Sequence, residues 1–221
     1  MASMIPVCIF AKPPECGKVK TRLIEKLGET GASSLAAAMF QDIWDVVTAC
    51  SGVRPVLATT AEGTFPVPIE REQIWLQAGD CLGVRLENIL RRGLDSAYAA
   101  IAIGADSPSL TISHLETAVQ ELDQHDAVIG RSLDGGFYLL GVRQCEDGLL
   151  AELPWSTSQT AEATIARLKE RGRTMHELTP LFDVDVPDDL ELLAAYLVAN
   201  PQAAPATRAW AKSIGLLKDG D

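Results

Sequence analysis

The chain has 221 residues, 47% of them hydrophobic, which is enough to bury a sizeable core and fits one α/β domain better than two. Its 19 basic and 30 acidic residues give a formal charge of −11, which argues against nonspecific binding to nucleic acids or to anionic membranes. The N-terminal apolar run ends by Ala11 without a preceding basic region, so it is too short for a membrane span and unlike a signal peptide.

The first half of the chain alternates short apolar runs with amphipathic stretches, the pattern of strands and helices in turn. A first strand at residues 7–10 leads through a proline-containing loop to a short helix that begins at Val19 and stops near Gly28. The elements predicted next are helix 33–49, strands 55–60 and 73–77, a helix from Leu82 that ends before Gly93, and strand 98–103.

The second half continues this alternation. Ser113 with Glu116 has the spacing of a capping box and predicts the N-terminus of the next helix. Residues 198–221 are predicted to form a helical tail that packs through Trp210. The other predicted elements are strands 127–129, 137–142 and 174–178, a helix at 159–171, an acidic segment at 182–186 and a helix from Pro187 to Val198.

Alternating strands and helices predict a doubly wound α/β sheet in one domain that spans residues 1–221. In such sheets the ligand binds along the carboxyl ends of the strands. The polar clusters of the chain should therefore meet at that edge.

The loop after the first strand concentrates positive charge in an otherwise acidic chain. Lys12, Lys18, Lys20 and Arg22 lie in or beside it, and Gly17 permits a tight backbone path. Between the end of a strand and the start of a helix, such a loop suits an anionic ligand such as a phosphate. The spacing of a P-loop and the G-x-G-x-x-G dinucleotide fingerprint are both absent from the sequence.

Acidic residues are predicted at the ends of two other strands. Asp106 directly follows a buried strand and precedes Ser107-Pro108, whereas Asp183 and Asp185 come after the last strand. Taken alone, Asp106 could simply accept hydrogen bonds from the backbone of its own turn, and Asp183 and Asp185 could cap the following helix. Taken together, the two acidic strand ends, Asp106 on one and Asp183 with Asp185 on the other, could share a hard divalent cation, Mg²⁺ or Mn²⁺, which brings phosphates with it.

The cysteines and histidines indicate neither a disulfide framework nor a zinc site. The five cysteines are an odd number, widely spaced and without any C-x-x-C pair, so a reducing cytoplasm is the expected setting. His114, His125 and His176 are isolated from one another, two of them on or near one predicted helix, and we interpret them as surface or capping residues. The sequence leaves the oligomeric state open.

Five motifs follow one another along the chain: Phe10-Ala11-Lys12-Pro13 with Gly17-x-Val19-Lys20-Thr21-Arg22-Leu23, Gly104-x-Asp106-x-Pro108, Asp134-Gly135-Gly136-Phe137-Tyr138-Leu139-Leu140-Gly141, Trp155-Ser156-Thr157 and Asp183-Val184-Asp185-x-Pro187-x-Asp189-Leu190. Together they resemble a bacterial family of uncharacterised glycosyltransferase-like proteins in the nucleotide-diphospho-sugar transferase superfamily, which has the GT-A fold. The same layout is similar to molybdenum-cofactor and phospholactate guanylyltransferases. The resemblance covers the chain to about Leu197.

The resemblance implies a Rossmann-like three-layer α/β/α sandwich with a mostly parallel mixed sheet. It also implies that Lys20 and Arg22 face the nucleotide phosphates, in the loop that contains Lys12 and Gly17. Asp106 would bind the metal, with a second carboxylate from a later motif, Asp185. Lys20, Arg22 and Asp106 are accordingly the predicted catalytic residues, which act on a nucleotide or nucleotide sugar and a small acceptor.

The resemblance also describes the other side of the site. Asp134, Gly135 and Gly136 would line the pocket of the transferred group, where glycines allow a ligand to approach closely. Trp155, Ser156 and Thr157 would shape the acceptor side. In place of the Asp-x-Asp pair that sugar transferases of this fold usually show, the position two before Asp106 is a glycine.

Two reactions of a nucleotide-activated donor are compatible with these residues. In the first, a glycosyltransferase moves a sugar from a nucleoside-diphosphate sugar to a small acceptor and releases a nucleoside diphosphate. In the alternative, a guanylyltransferase-like nucleotidylyltransferase joins a nucleoside triphosphate to a phosphorylated acceptor and releases pyrophosphate. The family resemblance favours sugar transfer, and the basic loop favours nucleotidyl transfer. Lys20, Asp106 and Asp185 together argue against a third interpretation, a nucleotide-binding protein without catalysis.

Overall fold

The computed structural model describes residues 4–218, which contain seven strands and six α-helices. The strands are β1 (Ile5–Phe10), β2 (Val53–Thr59), β3 (Ile74–Leu76), β4 (Ala100–Gly104), β5 (Ala127–Ser132), β6 (Phe137–Val142) and β7 (Met175–Leu181). The helices are α1 (Ile24–Ala49), α2 (Leu82–Leu94), α3 (Ile112–Leu122), α4 (Thr160–Glu170), α5 (Asp189–Ala199) and α6 (Pro205–Ser213), with 3-10 turns at Thr21–Leu23 and Arg71–Gln73. Every strand predicted from the sequence is present, and its ends differ from the prediction by at most three residues.

The strands form one mixed sheet in the order β3-β2-β1-β4-β6-β5-β7. Strand β6 runs antiparallel to β4 and β5, whereas β1 to β4 pair in parallel and so do β5 and β7. The order reverses between β1 and β4, where Phe10 pairs with Gly104. Connections that leave two neighbouring strands in opposite directions open a crevice beyond their carboxyl ends, and open α/β sheets bind ligands there.

Helices cover both faces of the sheet, because side chains alternate between the faces along each strand. Val7 and Ile9 of β1 pack in one cluster with α1 and α3, whereas Cys8 packs with α2 on the other face. In β4, Ile101 faces the first layer and Ala102 faces α2 and α4. The single domain is therefore the three-layer α/β/α sandwich that the resemblance implies.

Some helix boundaries differ from the prediction. The helix predicted to begin at Val19 begins at Ile24, after the 3-10 turn at Thr21–Leu23. The stop predicted near Gly28 is present as a kink within α1, where this glycine has φ 69° and ψ 167°. Helix α3 begins earlier than the Ser113 prediction, because its capping box joins Thr111 and His114. His114 Nδ1 accepts the Thr111 N–H at 3.2 Å, so an imidazole nitrogen replaces the usual glutamate or glutamine oxygen. The capping box predicted from Ser113 and Glu116 is therefore wrong.

The C-terminal helix packs back on α1. Both carboxylate oxygens of Asp42, in α1, accept N–H bonds from the start of α6, one from Ala206 and one from Thr207, each at 2.8 Å. Trp210 Nε1 and Ser34 Oγ are 3.0 Å apart. A side chain of the first long helix thus satisfies backbone donors that α6 cannot satisfy itself.

The tail predicted over residues 198–221 contains α6, and its residues 219–221 lie outside the described part of the chain. Trp210 of this tail is buried, as predicted. Within residues 4–218, no helix has the length and the apolar character needed to cross a membrane.

Candidate active site

A cavity of about 760 Å³ lies at the carboxyl ends of β1 and β4, where the strand order reverses. Its walls come from the loops after β1, β4 and β7, from the β5–β6 turn and from the segment before α4. This volume lies in the range of pockets that enclose small-molecule ligands. The cavity occupies the edge of the sheet at which the sequence predicts a ligand.

Lys20 joins the two carboxylates that the sequence assigns to a metal. Its Nζ lies 2.5 Å from Asp106 Oδ1 and 2.6 Å from Asp185 Oδ1, and its side chain is only 6% exposed. The backbone of Lys20 is left-handed, with φ 47°, which is uncommon for a residue other than glycine. Burial alone would lower the pKa of Lys20, but the charges and hydrogen bonds of the two carboxylates outweigh it and raise the pKa, so the ammonium stays charged.

Hydrogen bonds to the backbone hold Asp106 and Asp185 side by side. The Val184 N–H donates to the carbonyl oxygen of Asp106 at 3.0 Å, which ties the loop after β7 to the loop after β4. Asp189 Oδ2 accepts the N–H groups of Asp185 and Val186 at 2.7 and 2.8 Å. The side chains of Asp106 and Asp185 remain 45% and 46% exposed, so they can reach a ligand in the cavity.

Asp183 places a third carboxylate beside this pair. Its Oδ1 accepts a hydrogen bond from Ser107 Oγ in the loop after β4. Burial raises the pKa of Asp183 to about 6; the hydrogen bond from Ser107 opposes this shift, and the negative charges of Asp106 and Asp134 add to it. The site therefore has an excess of negative charge beside Lys20, a condition that favours a bound cation.

Replacing Asp183 by asparagine is expected to stabilise the metal-free protein at pH 8. The pKa of Asp183 is 3.8 as a free side chain and about 6 in the fold, so the folded state keeps its proton between these values and the free energy of unfolding falls as pH rises through them. Above pH 6 the buried charge costs about 2–3 kcal/mol. Asparagine avoids this cost, and its Oδ1 still accepts from Ser107. In EDTA, the Tm of the variant should be about 5 °C higher at pH 8 and equal to wild type near pH 4.

Asp188→Asn is the matched control for this measurement, because Asp188 is an exposed aspartate of the same loop. Its Tm should equal that of wild type at both pH values. An Asp183→Asn protein no more stable than wild type at pH 8 would show that the Asp183 charge does not destabilise the fold.

The Asp106 and Asp185 carboxylates fit a divalent cation. Their Oδ1 atoms already converge on one positive charge, the Lys20 ammonium, at 2.5 and 2.6 Å. Mg²⁺ binds oxygen at about 2.0–2.1 Å and typically uses one or two protein carboxylates together with waters and phosphates. The two aspartates could thus hold such an ion if the Lys20 ammonium moved aside.

Most of the other predicted site residues line the same cavity: Lys12, Arg22, Asp134, Gly136, Trp155, Ser156 and Thr157. Asp134 is exposed, and its Oδ1 accepts the Gly136 N–H at 2.8 Å, which orients the carboxylate. Trp155 packs edge-on against Phe137, with the ring centroids 6.0 Å apart. The fold therefore brings the basic loop and the predicted acceptor side to one cavity.

Among the described residues, the cavity lining does not include Gly17 and Gly135. Gly135 has φ 91°, and a Cβ at this position would lie 2.1 Å from the backbone oxygen of Ser158. This glycine is therefore needed where the β5–β6 turn contacts the segment before α4. The role in approach of a ligand that the resemblance implies for Gly135 stays a prediction. Gly17 has φ 75° and shapes the path of the basic loop.

Two polar residues of the cavity do not stand out in the sequence. Gln77 follows β3, and Arg85 lies in the first turn of α2. Gln77 Nε2 donates to the Ala58 carbonyl at 2.7 Å and Arg85 Nε to the Gly79 carbonyl at 2.8 Å, so both side chains are held in place. Gln77 could have been found from its position directly after a strand, because ligands bind at the carboxyl ends of the strands. Arg85 lies within a helix, and no such pattern marks it.

The fold is shared with a solved structure described as a candidate nucleotide-diphospho-sugar transferase and with two enzymes of cytidine nucleotide chemistry. A candidate nucleotide-diphospho-sugar transferase from Desulfovibrio desulfuricans G20 is 24% identical, with a TM-score of 0.85 over 98% of this chain and 97% of that chain. CMP:2-keto-3-deoxy-manno-octonic acid synthetase complexed with CTP is 15% identical, with a TM-score of 0.54 over 89% and 99%. The 4-diphosphocytidyl-2C-methyl-D-erythritol synthase of Anaerococcus prevotii is 11% identical, with a TM-score of 0.53 over 88% and 96%. At these identities the likeness establishes the fold.

The chain belongs to the bacterial family DUF2064, described as an uncharacterized protein conserved in bacteria, whose model matches residues 35–157. No curated protein matches its sequence significantly. The matched range contains Asp106, Asp134 and Trp155, whereas Lys20 and Asp185 lie outside it. The resemblance to a bacterial family with this fold is thus confirmed.

Proposed function

We propose that the protein is a metal-dependent glycosyltransferase that moves a sugar from a nucleoside-diphosphate sugar to a small acceptor. The observation that carries this proposal is the convergence of Lys20, Asp106 and Asp185 at the edge of a cavity large enough for a nucleotide sugar. The names of the solved structures that share the fold, a candidate nucleotide-diphospho-sugar transferase and two enzymes of cytidine nucleotide chemistry, support a nucleotide-activated donor.

We assign the basic side chains of the cavity to the diphosphate of the donor. Lys12, Lys18, Lys20 and Arg22 come from the loop after β1, and Arg85 adds a fifth positive charge from α2. Cations held in place before the reaction stabilise the negative charge that develops on the leaving diphosphate. Such a concentration of positive charge in a chain of net charge −11 supports a local anionic ligand.

We assign Asp106 and Asp185 as ligands of Mg²⁺ or Mn²⁺, with Asp183 adding negative charge beside them. When bound, the ion supplies further stabilisation of the diphosphate as a Lewis acid. The Lys20 ammonium, which pairs with the two carboxylates in the metal-free protein, is then available to the phosphates. This assignment gives Lys20 two successive partners, first carboxylate and then phosphate.

The transfer step needs a group that takes the proton of the acceptor. The acceptor hydroxyl oxygen forms a bond to the anomeric carbon, and the bond from that carbon to the diphosphate breaks with its electron pair on the diphosphate. We assign Asp134 to accept the hydroxyl proton, because its carboxylate is exposed in the cavity and is oriented by the Gly136 N–H. Trp155, Ser156 and Thr157 are assigned to the acceptor side.

Nucleotidyl transfer is the second candidate, and the number of basic residues favours it. The cavity is lined by Lys12, Lys18, Lys20, Arg22 and Arg85, which suits a triphosphate as well as a diphosphate. In this reaction an acceptor phosphate oxygen attacks the α-phosphorus of a nucleoside triphosphate, and pyrophosphate leaves with the electron pair of the broken bond.

Product analysis separates the two candidates. The protein is incubated with Mn²⁺ or Mg²⁺ and with a panel of nucleoside-diphosphate sugars or nucleoside triphosphates. Each donor is tested with sugars, small water-soluble alcohols and phosphorylated compounds as acceptors. We expect acceptor-dependent release of nucleoside diphosphate from a nucleotide sugar, and its loss in EDTA. Acceptor-dependent pyrophosphate from a triphosphate would instead establish nucleotidyl transfer. If neither nucleotide class binds at millimolar concentration, both candidates fail.

We place this reaction in the cytoplasm, because all five cysteines are free thiols, as expected in a reducing compartment. The proposed partners are small molecules, and the net charge of −11 argues against nucleic acid as a substrate.

A further inference from the structure

Two of the three histidines, which the sequence presents as isolated, meet at the opposite end of β7 from the cavity. Glu121 Oε2 lies 3.1 Å from His125 Nδ1 and 3.3 Å from His176 Nδ1. One ligand atom from each of the three side chains lies within 4.8 Å of the other two. The prediction that the histidines are isolated from one another is therefore wrong for His125 and His176, whose ring centroids are 5.8 Å apart, whereas His114 is a capping residue of α3 as predicted.

The two separations from the Glu121 oxygen suit a tetrahedral metal site, and the histidine ligand atoms lie within 4.8 Å of each other. Zn²⁺ binds histidine nitrogen and carboxylate oxygen at about 2.0–2.2 Å, so two ligands of a tetrahedral ion are about 3.3–3.4 Å apart. The two measured separations from the Glu121 oxygen, 3.1 and 3.3 Å, are close to this value. Two imidazoles with one carboxylate are ligands that favour Zn²⁺ and its neighbours over Mg²⁺ or Ca²⁺.

Hydrogen bonds hold the turn at His125 in place without an ion, and His125 Nδ1 itself lies 3.2 Å from the backbone carbonyl oxygen of Glu121, a contact that a bound ion would replace. The Asp126 carboxylate accepts both the N–H and the hydroxyl of Thr174, at 2.9 and 2.8 Å, and the Asp126 N–H donates to the Thr174 carbonyl at 3.0 Å. This exchange fixes the turn that carries His125 against the start of β7, where His176 pairs with Val128 of β5. A site built on such rigid elements needs little rearrangement to bind an ion.

The surroundings of the cluster are suitable for a cation. Glu121 lies in the last turn of α3, where the helix dipole places negative partial charge. The three side chains are 25%, 30% and 36% exposed, so an ion can enter and a water molecule can supply a fourth ligand. His176 is the second residue of β7, whereas Asp183 and Asp185 follow the other end of this strand, about 20 Å away along an extended chain.

We propose that Glu121, His125 and His176 form a binding site for a transition-metal ion of the zinc class, separate from the carboxylate site of the cavity. The ion would tie the turn after α3 to β7, the last strand in the sheet order. Its effect is on the stability of this edge of the sheet, so the site does not depend on the proposed transfer reaction.

The test uses the full chain with Asp106→Asn and Asp185→Asn, which removes the carboxylate site from the measurement. After treatment with a chelator and its removal, Zn²⁺ is titrated by calorimetry. We expect one equivalent to bind with a Kd of about 1 µM or below. Co²⁺ should give the intense visible absorption of a tetrahedral complex, and Zn²⁺ at about 100 times its Kd should raise the Tm by roughly 5 °C or more.

Variants identify the ligands. His176→Gln and Glu121→Gln should each weaken Zn²⁺ binding about a hundredfold and abolish the rise in Tm. His114→Gln is the matched control, since it removes an imidazole outside the cluster and keeps a capping-box residue at that position. Glu116→Gln, an exposed carboxylate on the same helix, is the control for Glu121→Gln.

Three results would overturn the proposal. One is the absence of saturable Zn²⁺ binding in the double aspartate variant, and another is equal binding by His176→Gln and His114→Gln. The third is the weak Co²⁺ absorption of an octahedral complex. A failure of any kind here leaves the nucleotide assays of the proposed function unaffected, because those assays measure the cavity at the other end of β7.

Discussion

An Asp106→Asn variant is expected to lose metal-stimulated nucleotide binding, and its kcat/KM for the activated donor should fall by a factor of about 1000 or more. Asparagine keeps the size of the side chain and removes the charge that a hard cation requires. The fold should stay intact, because the Asp106 backbone carbonyl still accepts the Val184 N–H and Lys20 keeps its ion pair with Asp185. Calorimetric titration of nucleotide with Mn²⁺ and with EDTA measures the loss, and circular dichroism monitors the fold.

Asp188→Asn again provides the control, since it removes one negative charge from the exposed part of the loop after β7. Its Mn²⁺-stimulated nucleotide binding should equal that of wild type. Undiminished stimulation in Asp106→Asn would remove Asp106 from the ligand set and, with it, the metal site proposed in the cavity.

A Lys20→Met variant is expected to show two opposite changes. Its kcat/KM should fall about a hundredfold or more, because a positive charge that faces the phosphates is lost. Its affinity for Mn²⁺ in the absence of nucleotide should rise about tenfold, because the ion no longer competes with an ammonium 2.5 and 2.6 Å from Asp106 and Asp185. In EDTA its Tm should be lower than that of wild type, because the two carboxylates have lost their buried partner, and Mn²⁺ should restore it.

Lys18→Met distinguishes this local effect from a general loss of charge. Lys18 is in the same loop, but its side chain is 73% exposed and pairs with Glu15 at 2.5 Å. Its Mn²⁺ affinity and its Tm should match wild type. Equal Mn²⁺ affinity in Lys20→Met and wild type would mean that Lys20 and the ion do not share a position.

The position of the site could be predicted from the sequence, because strand ends are readable in it. Asp106 and Asp185 are far apart in the chain, yet each follows a strand whose carboxyl end lies at one edge of the sheet, and the structure joins both to one ammonium. Lys20 was predicted at this site as a ligand of the phosphates, but its ion pairs with the two carboxylates could not be predicted. Lys20 reaches the carboxylates from a left-handed backbone conformation, which tertiary contacts maintain and no sequence pattern marks at a lysine.

The other differences also arise from contacts between distant segments. His125 and His176 meet because β5 and β7 are neighbours, a pairing that the order of elements along the chain does not reveal. Gly135 is required by the backbone of Ser158, which belongs to the segment before the next helix. The start of α3 was misplaced for a local reason, since His114 serves as a capping residue where the usual pattern expects glutamate or glutamine.

The hydrogen bonds between Asp42 and α6 mean that α1 cannot be fully packed until the C-terminal helix has been synthesised. Leu35 and Met39 of α1 share a buried cluster with Trp210 and Ala211, so part of the surface of this early helix is covered only by the last helix described. During synthesis, a nascent chain that lacks residues 205–213 leaves this apolar surface in water and the Asp42 carboxylate without its two amide partners. Helix α1, the first long helix to leave the ribosome, is therefore among the last to be fully packed. All the cavity residues have been synthesised before α6 emerges.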